Sequence, residues 1–242
     1  MATWQDVSAR KVSARDAAIP REWVLETPPA GGAEGDTGNV MSVPRTCGIL
    51  SPAEVAITET PADVLVSRMV GGQLTSEAVT IAFCKRAAVA QQLVNCLTEI
   101  MFDDAIRAAK DIDAEFKRTG KPKGVLHGLP VSLKDNIDVK GYDSSTGLVN
   151  RVGDTATEDA ALVVALRNAG AVFHCKTNVP TGMVSDLSIT RGWSEAEHYL
   201  LPSSPLTRRS WQSHTTTYGG TPPTLITGDT HAAARRAARR RC

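Results

Sequence analysis

Between Ser51 and Thr177 the apolar positions fall into clear helical and strand periods. Ser51 opens a short helix, and a second starts near Pro61. Thr75 or Ser76 can cap a longer helix to about Gln92, whose Val79, Ala82, Phe83 and Ala87 keep helical spacing. Cys96 to Ile100 reads as a short strand. Phe102 to Thr119 reads as an amphipathic helix with Ile106, Ala109, Ile112 and Phe116 on one stripe, and Gly120 follows it as a C′ stop. Pro130 to Lys134 is a strand ending in the polar turn Lys134-Asp135-Asn136, and Asp143 to Gly147 is a Ser/Thr/Gly loop. Thr155 and Glu158 have capping-box spacing ahead of a helix over Asp159 to Asn168. Gly170 stops that helix, and Ala171 to Lys176 is a strand. Strand, helix and strand with short connections make a βαβ unit, so parallel pairing is expected.

The flanks lack this order. Trp4 to Trp23 has only weak helical periodicity, and residues 1–50 read as a leader that covers a core rather than building one. Pro28 to Gly38 reads as a loop. After Ile189 periodicity disappears, and there is no Val, Lys, Asn, Phe or Met. Charge divides at the same place. Residues 1–188 hold 19 Lys and Arg against 23 Asp and Glu; residues 189–242 hold 8 Arg against 3 acidic residues. The net charge of +1 hides this asymmetry. The chain therefore divides into a unit over 1–188 and a tail over 189–242, which is expected to be disordered and basic.

Composition sets further bounds. A length of 242 residues, 42% apolar, supports a sizeable core. The longest apolar run, Ala160 to Leu166, is far below the ~20 residues that span a bilayer. No apolar stretch near Met1 resembles a secretory signal. Five cysteines lie scattered without CxxC spacing, which suits a reducing, cytoplasmic setting and gives no zinc pattern. No HxxxH spacing occurs either, so no metal and no organic cofactor is expected. Cys84 and Cys96 read as small core residues, His174 as a packed core histidine, and His127 as one that satisfies a backbone carbonyl.

The strongest chemical signal is His127-Gly-Leu-Pro-Val-Ser-Leu-Lys-Asp-Asn136. Ligands in α/β sheets sit outside the C-terminal strand ends, which is where this lysine falls. Burial there would favour a neutral amine able to act as a base. From spacing alone, a lysine paired with Asp135 or another carboxylate and holding a loop is the commoner arrangement.

This segment resembles the lysine-bearing motif of the amidase signature family. Lys140-Gly-Tyr-Asp-Ser-Ser-Thr-Gly147, Asp159-Ala-Ala-Leu-Val-Val-Ala-Leu166, Gly170-Ala and Lys176-Thr-Asn-Val-Pro180 follow in that family's order. The likeness is to fungal acetamidase-type general amidases. It extends to Pro44-Arg-Thr-Cys-Gly48, Ile57-Thr-Glu59 and Ala82-Phe-Cys-Lys-Arg-Ala87, and covers about Trp4 to Ser188. The resemblance implies an α/β fold: the incomplete N-terminal part of the amidase-signature mixed sheet, covered by helices. It implies hydrolysis of small carboxylic amides by a Ser–cis-Ser–Lys triad, with Lys134 as the lysine. Asp135 and Asn136 would orient Lys134 or brace its loop. Ser144, Ser145 and Thr146 would line the site, or form an ordinary polar turn.

The family's GGSSGG loop and its nucleophile are absent from these 242 residues. Ser203, Ser204, Ser210 and Ser213 have no glycine-rich context. The chain is therefore expected to be inactive. The tail supplies a reason. With permitted codons, Ala233 to Cys242 can be the one-base-shifted reading of a stretch encoding GGSSGGEAAL. Residues from about 215 onward are accordingly expected to be out-of-frame translation, with 189–214 a retained intron or part of the same error.

Other readings remain. Arg235, Arg236, Arg239, Arg240 and Arg241 could bind an anionic partner, making this a non-catalytic interaction protein. Nucleic acid is not the expected partner, because no aromatic is interleaved for base stacking. Another chain could instead complete the site. An incomplete sheet leaves an edge open to self-association, so poor solubility is expected. A soluble monomer with a sharp melt would contradict it.

Overall fold

The computed structural model describes residues 3–26 and 40–183. The expected loop over Pro28 to Gly38, the boundary at 188–189, the tail serines and the arginine run all lie outside the described residues.

Seven α-helices and three strands occur among the described residues. They are α1 (Trp4–Ala17), α2 (Val43–Thr46), α3 (Pro52–Thr58), α4 (Ala62–Val70), α5 (Ser76–Val94), β1 (Leu97–Ile100), α6 (Phe102–Thr119), β2 (Pro130–Lys134), α7 (Ala161–Asn168) and β3 (Val172–Thr177). The chain is α/β, as expected. The helix starts follow local chemistry. The hydroxyls of Ser51 and Thr75 accept backbone N–H groups of Glu54 and Ala78 at the starts of α3 and α5. At the other end of α6, Gly120 takes the left-handed conformation.

The sheet order is β1-β3-β2. The β2–β3 pair is parallel, as the βαβ reading requires, with Lys134 opposite Thr177. The β1–β3 pair is antiparallel and sets Glu99 opposite Lys176. The larger core joins α5, α6 and the sheet through Cys84, Ala88, Leu97, Phe102, Ala109, Ile112, Val172 and Cys175. A second cluster packs Val163 of α7 against Leu133, Val139 and Phe173. A third joins Leu65 and Met69 of α4 to Val79.

Four expectations need correction. The N-terminal region does not merely cover a core: Ile19 and Trp23 belong to the larger cluster, and Trp23 packs on Phe102 with ring centroids 5.7 Å apart. The helix expected from Asp159 begins at Ala161 without a side-chain cap, because the Thr155 hydroxyl donates to the Asp143 carboxylate instead. His127 accepts the Lys123 backbone N–H through Nδ1 rather than satisfying a carbonyl. Cys96 is only half-buried, whereas Cys84 is enclosed. His174 lies in the core, edge-on to Phe83.

Candidate functional site

Parallel pairing brings the C-terminal ends of β2 and β3 together, so Lys134, Asp135, Lys176 and Asn178 fall at one end of the sheet. β2 is an outer strand with an alternating surface, not a buried one, and Lys134 is exposed. Nor is Lys134 paired with Asp135. Its ammonium donates to the Asn178 carbonyl at 3.2 Å, and the Asn178 side chain in turn donates to the Asn95 carbonyl at 2.8 Å. Asn136 is exposed in the following turn.

Asp135 turns the other way and is fully buried. Its backbone N–H continues the sheet by donating to the Thr177 carbonyl at 3.0 Å. One carboxylate oxygen, Oδ2, accepts the Ser145 hydroxyl at 3.1 Å and the Thr146 N–H at 2.6 Å. Asp135 thus braces the 144–146 loop rather than orienting Lys134. Thr146 holds a left-handed backbone with φ of 50°. Gly147 follows at φ 75°, and a Cβ there would stand 2.8 Å from Thr181 Cα, so this position requires glycine.

The loop is no ordinary polar turn, since Asp143, Ser144, Ser145 and Thr146 are all buried. Its first half hangs from β3. The Lys176 ammonium is fully enclosed and donates to the Asp143 carbonyl at 2.6 Å and to Ser144 Oγ at 2.8 Å. The Asp143 carboxylate accepts Lys11 Nζ at 2.9 Å, the Gly153 N–H at 2.9 Å and the Thr155 hydroxyl at 3.0 Å. Lys11 also pairs with Glu99.

The charges act on one another. Burial lowers the pKa of Lys176, opposed by the nearby Asp135, Glu99, Asp138 and Asp143. Burial also raises Glu99 despite its pairing with Lys11. Asp143 is held below the ordinary carboxylate range: burial works against this, but the Lys11, Gly153 and Thr155 bonds prevail. Lys11 is raised in turn, its bonds to Asp143 and Glu99 outweighing burial.

The structure therefore gathers Asp135, Ser144, Ser145 and Thr146 into one cluster, with Lys134 at the adjoining strand end and Asn136 outside it. Sequence reasoning did not single out Lys11, Glu99 or the Lys176 ammonium for this cluster. The available signal was a lysine within Val172–Thr177, a strand that also carries Val172, Phe173 and Cys175. Lys11 and Glu99 gave none, because their partners are remote in sequence. Among the described residues no group of three or more His, Cys, Asp or Glu could hold a metal ion. No described helix is long and apolar enough to cross a membrane. A cavity of about 730 Å³, lined by Trp23, Cys47 and Lys85 among others, includes none of the strand-end residues.

A family model described as Amidase matches residues 78–190. An acetamidase of Emericella nidulans is 44% identical over 178 residues, which are 74% of this chain and 31% of that protein. An acetamidase of Aspergillus oryzae is 42% identical, covering 74% of this chain and 32% of the relative. A solved fatty acid amide hydrolase superposes with a TM-score of 0.68 at 31% identity, covering 72% of this chain and 31% of that structure. The chain spans about a third of the length of these relatives.

Proposed function

We propose, from the Amidase family model that matches residues 78–190, that the chain carries the lysine-bearing part of a Ser–cis-Ser–Lys machine that hydrolyses small carboxylic amides. Lys134 is the triad lysine. In the mechanism implied by the family, its amine takes a proton relayed through the middle serine as the nucleophilic serine attacks the amide carbonyl. The same proton then goes to the departing amine, giving general base and general acid assistance from one group. The observation that supports this most is the position of Lys134: it ends a strand of the parallel pair, beside a turn whose Asp135 organises a buried serine-bearing loop. Asp135, Ser144, Ser145 and Thr146 give that loop its shape, and Asn136 belongs to the exposed turn. The substrate partner is a small carboxylic amide, and no metal or organic cofactor has a role.

The 242-residue chain alone is inactive in this reading. It contains no GGSSGG loop and no nucleophile with oxyanion-hole glycines. Without those groups the lysine has nothing to activate, and the rate falls by many orders of magnitude. The purified chain is expected to give no turnover of acetamide or benzamide above buffer. Steady ammonia release that is abolished by Lys134→Ala would show that the chain is complete enough to act.

A further inference from the structure

Lys176 has no part in the amide chemistry above, yet it is the largest fully buried side chain among the described residues. An enclosed ammonium is costly unless each of its protons finds an acceptor. Here two acceptors come from the Asp143–Thr146 loop, the Asp143 carbonyl and Ser144 Oγ. The next two loop residues are gripped by Asp135, through the Ser145 hydroxyl and the Thr146 N–H. Four consecutive loop residues are thus fixed by two buried charges of opposite sign on neighbouring strand ends. We propose that Lys176 is a positioning residue, whose ammonium sets the conformation of the Asp143–Thr146 loop at the strand ends where Lys134 lies.

Charged groups from several elements surround it. Lys11 comes from α1, Glu99 from β1, Asp135 and Asp138 from the turn after β2, and Asp143 from the loop itself. Lys11 is shared between Asp143 and Glu99, and of the carboxylates acting on Lys176 the strongest influence is that of Asp135. Loss of the Lys176 proton leaves a neutral amine, a weaker donor to the first half of the loop, and leaves Asp135 without that positive charge under the second half. The loop conformation therefore follows the protonation of this one lysine. The bearing of this clamp on amide hydrolysis rests on the proposed role of Lys134; the clamp itself does not.

The test is a pH titration of the isotope-labelled full chain, co-produced with chaperones and followed by NMR from pH 6 to 11. The Lys176 side-chain signals are expected to titrate below the ordinary lysine value. The Ser144, Ser145 and Thr146 amides should shift with the Lys176 midpoint. In Lys176→Met that step should vanish from the loop, while Lys134→Ala should leave it in place. If Lys176→Met does not fold, the wild-type titration decides alone. Loop amides that ignore the Lys176 midpoint, or that keep the step in the Met variant, overturn the proposal. Failure of the amidase reading shows instead as activity indifferent to Lys134, with this titration unchanged.

Discussion

His174 shows what single residues contribute. Its imidazole is buried beside Phe83, and burial holds its pKa down to about 4, with a hydrogen bond to the Val131 backbone acting in the opposite sense. Its Nδ1 has no hydrogen-bond partner among the described residues. The unfolded chain takes up this proton near pH 6.5, whereas the folded chain does so only near pH 4. The stability contribution is therefore whole above pH 6.5 and is lost as pH falls toward 4. Between pH 7 and pH 5 the loss is roughly 2 kcal/mol. Urea unfolding of wild type and His174→Phe should show that difference shrinking with acid, whereas a pH-independent difference would contradict it. The core placement of His174 was legible from the apolar residues around it. The inward turn of Asp135 was not, because alternation along β2 says nothing about the turn that follows.

The elements were legible where one face had to be apolar. The bounds of α6 and β2 agree with the periodicity, and Gly120 ends α6 for the reason the sequence gives. The contacts that join elements were hidden. Asp113 of α6 accepts the Ser76 and Glu77 N–H groups at 2.8 and 2.9 Å, capping α5 from a neighbouring helix. No local spacing encodes a cap from 37 residues away. Likewise, Thr155 bonded to Asp143 rather than capping α7, because a buried carboxylate outcompetes a local turn. One glycine governs how α5 meets the entry to β2. Gly128 has φ of +70°, and a Cβ there would lie 1.9 Å from Ser76 Oγ. Gly128→Ala combines a left-handed penalty with overpacking, together about 3 kcal/mol. Denaturant unfolding should show this loss, and a change below about 1 kcal/mol would mean the junction is loose.

For the whole molecule, the outer edges of β1 and β2 are unpaired among the described residues, and Leu162 and Val164 on α7 are exposed. Such a surface fits the proposal that this is a third of a larger sheet-based fold. The out-of-frame origin of the tail is tested by the genomic sequence beyond the Ser188 codon. An in-frame GGSSGG-encoding segment there is expected, and its absence would remove that explanation. The family was legible because collinear motifs extend over most of 1–188. The proposed inactivity rests on sequence alone: the nucleophile loop has a distinctive glycine pattern that these residues lack. The most direct test of the Lys134 reading is to replace the matching third of the Emericella nidulans acetamidase with residues 1–188 of this chain. Acetamide turnover by this chimera is then measured with and without Lys134→Ala. The account predicts an active chimera whose kcat falls at least ~10³-fold on substitution. A folded chimera that turns over acetamide equally well without the lysine would contradict it.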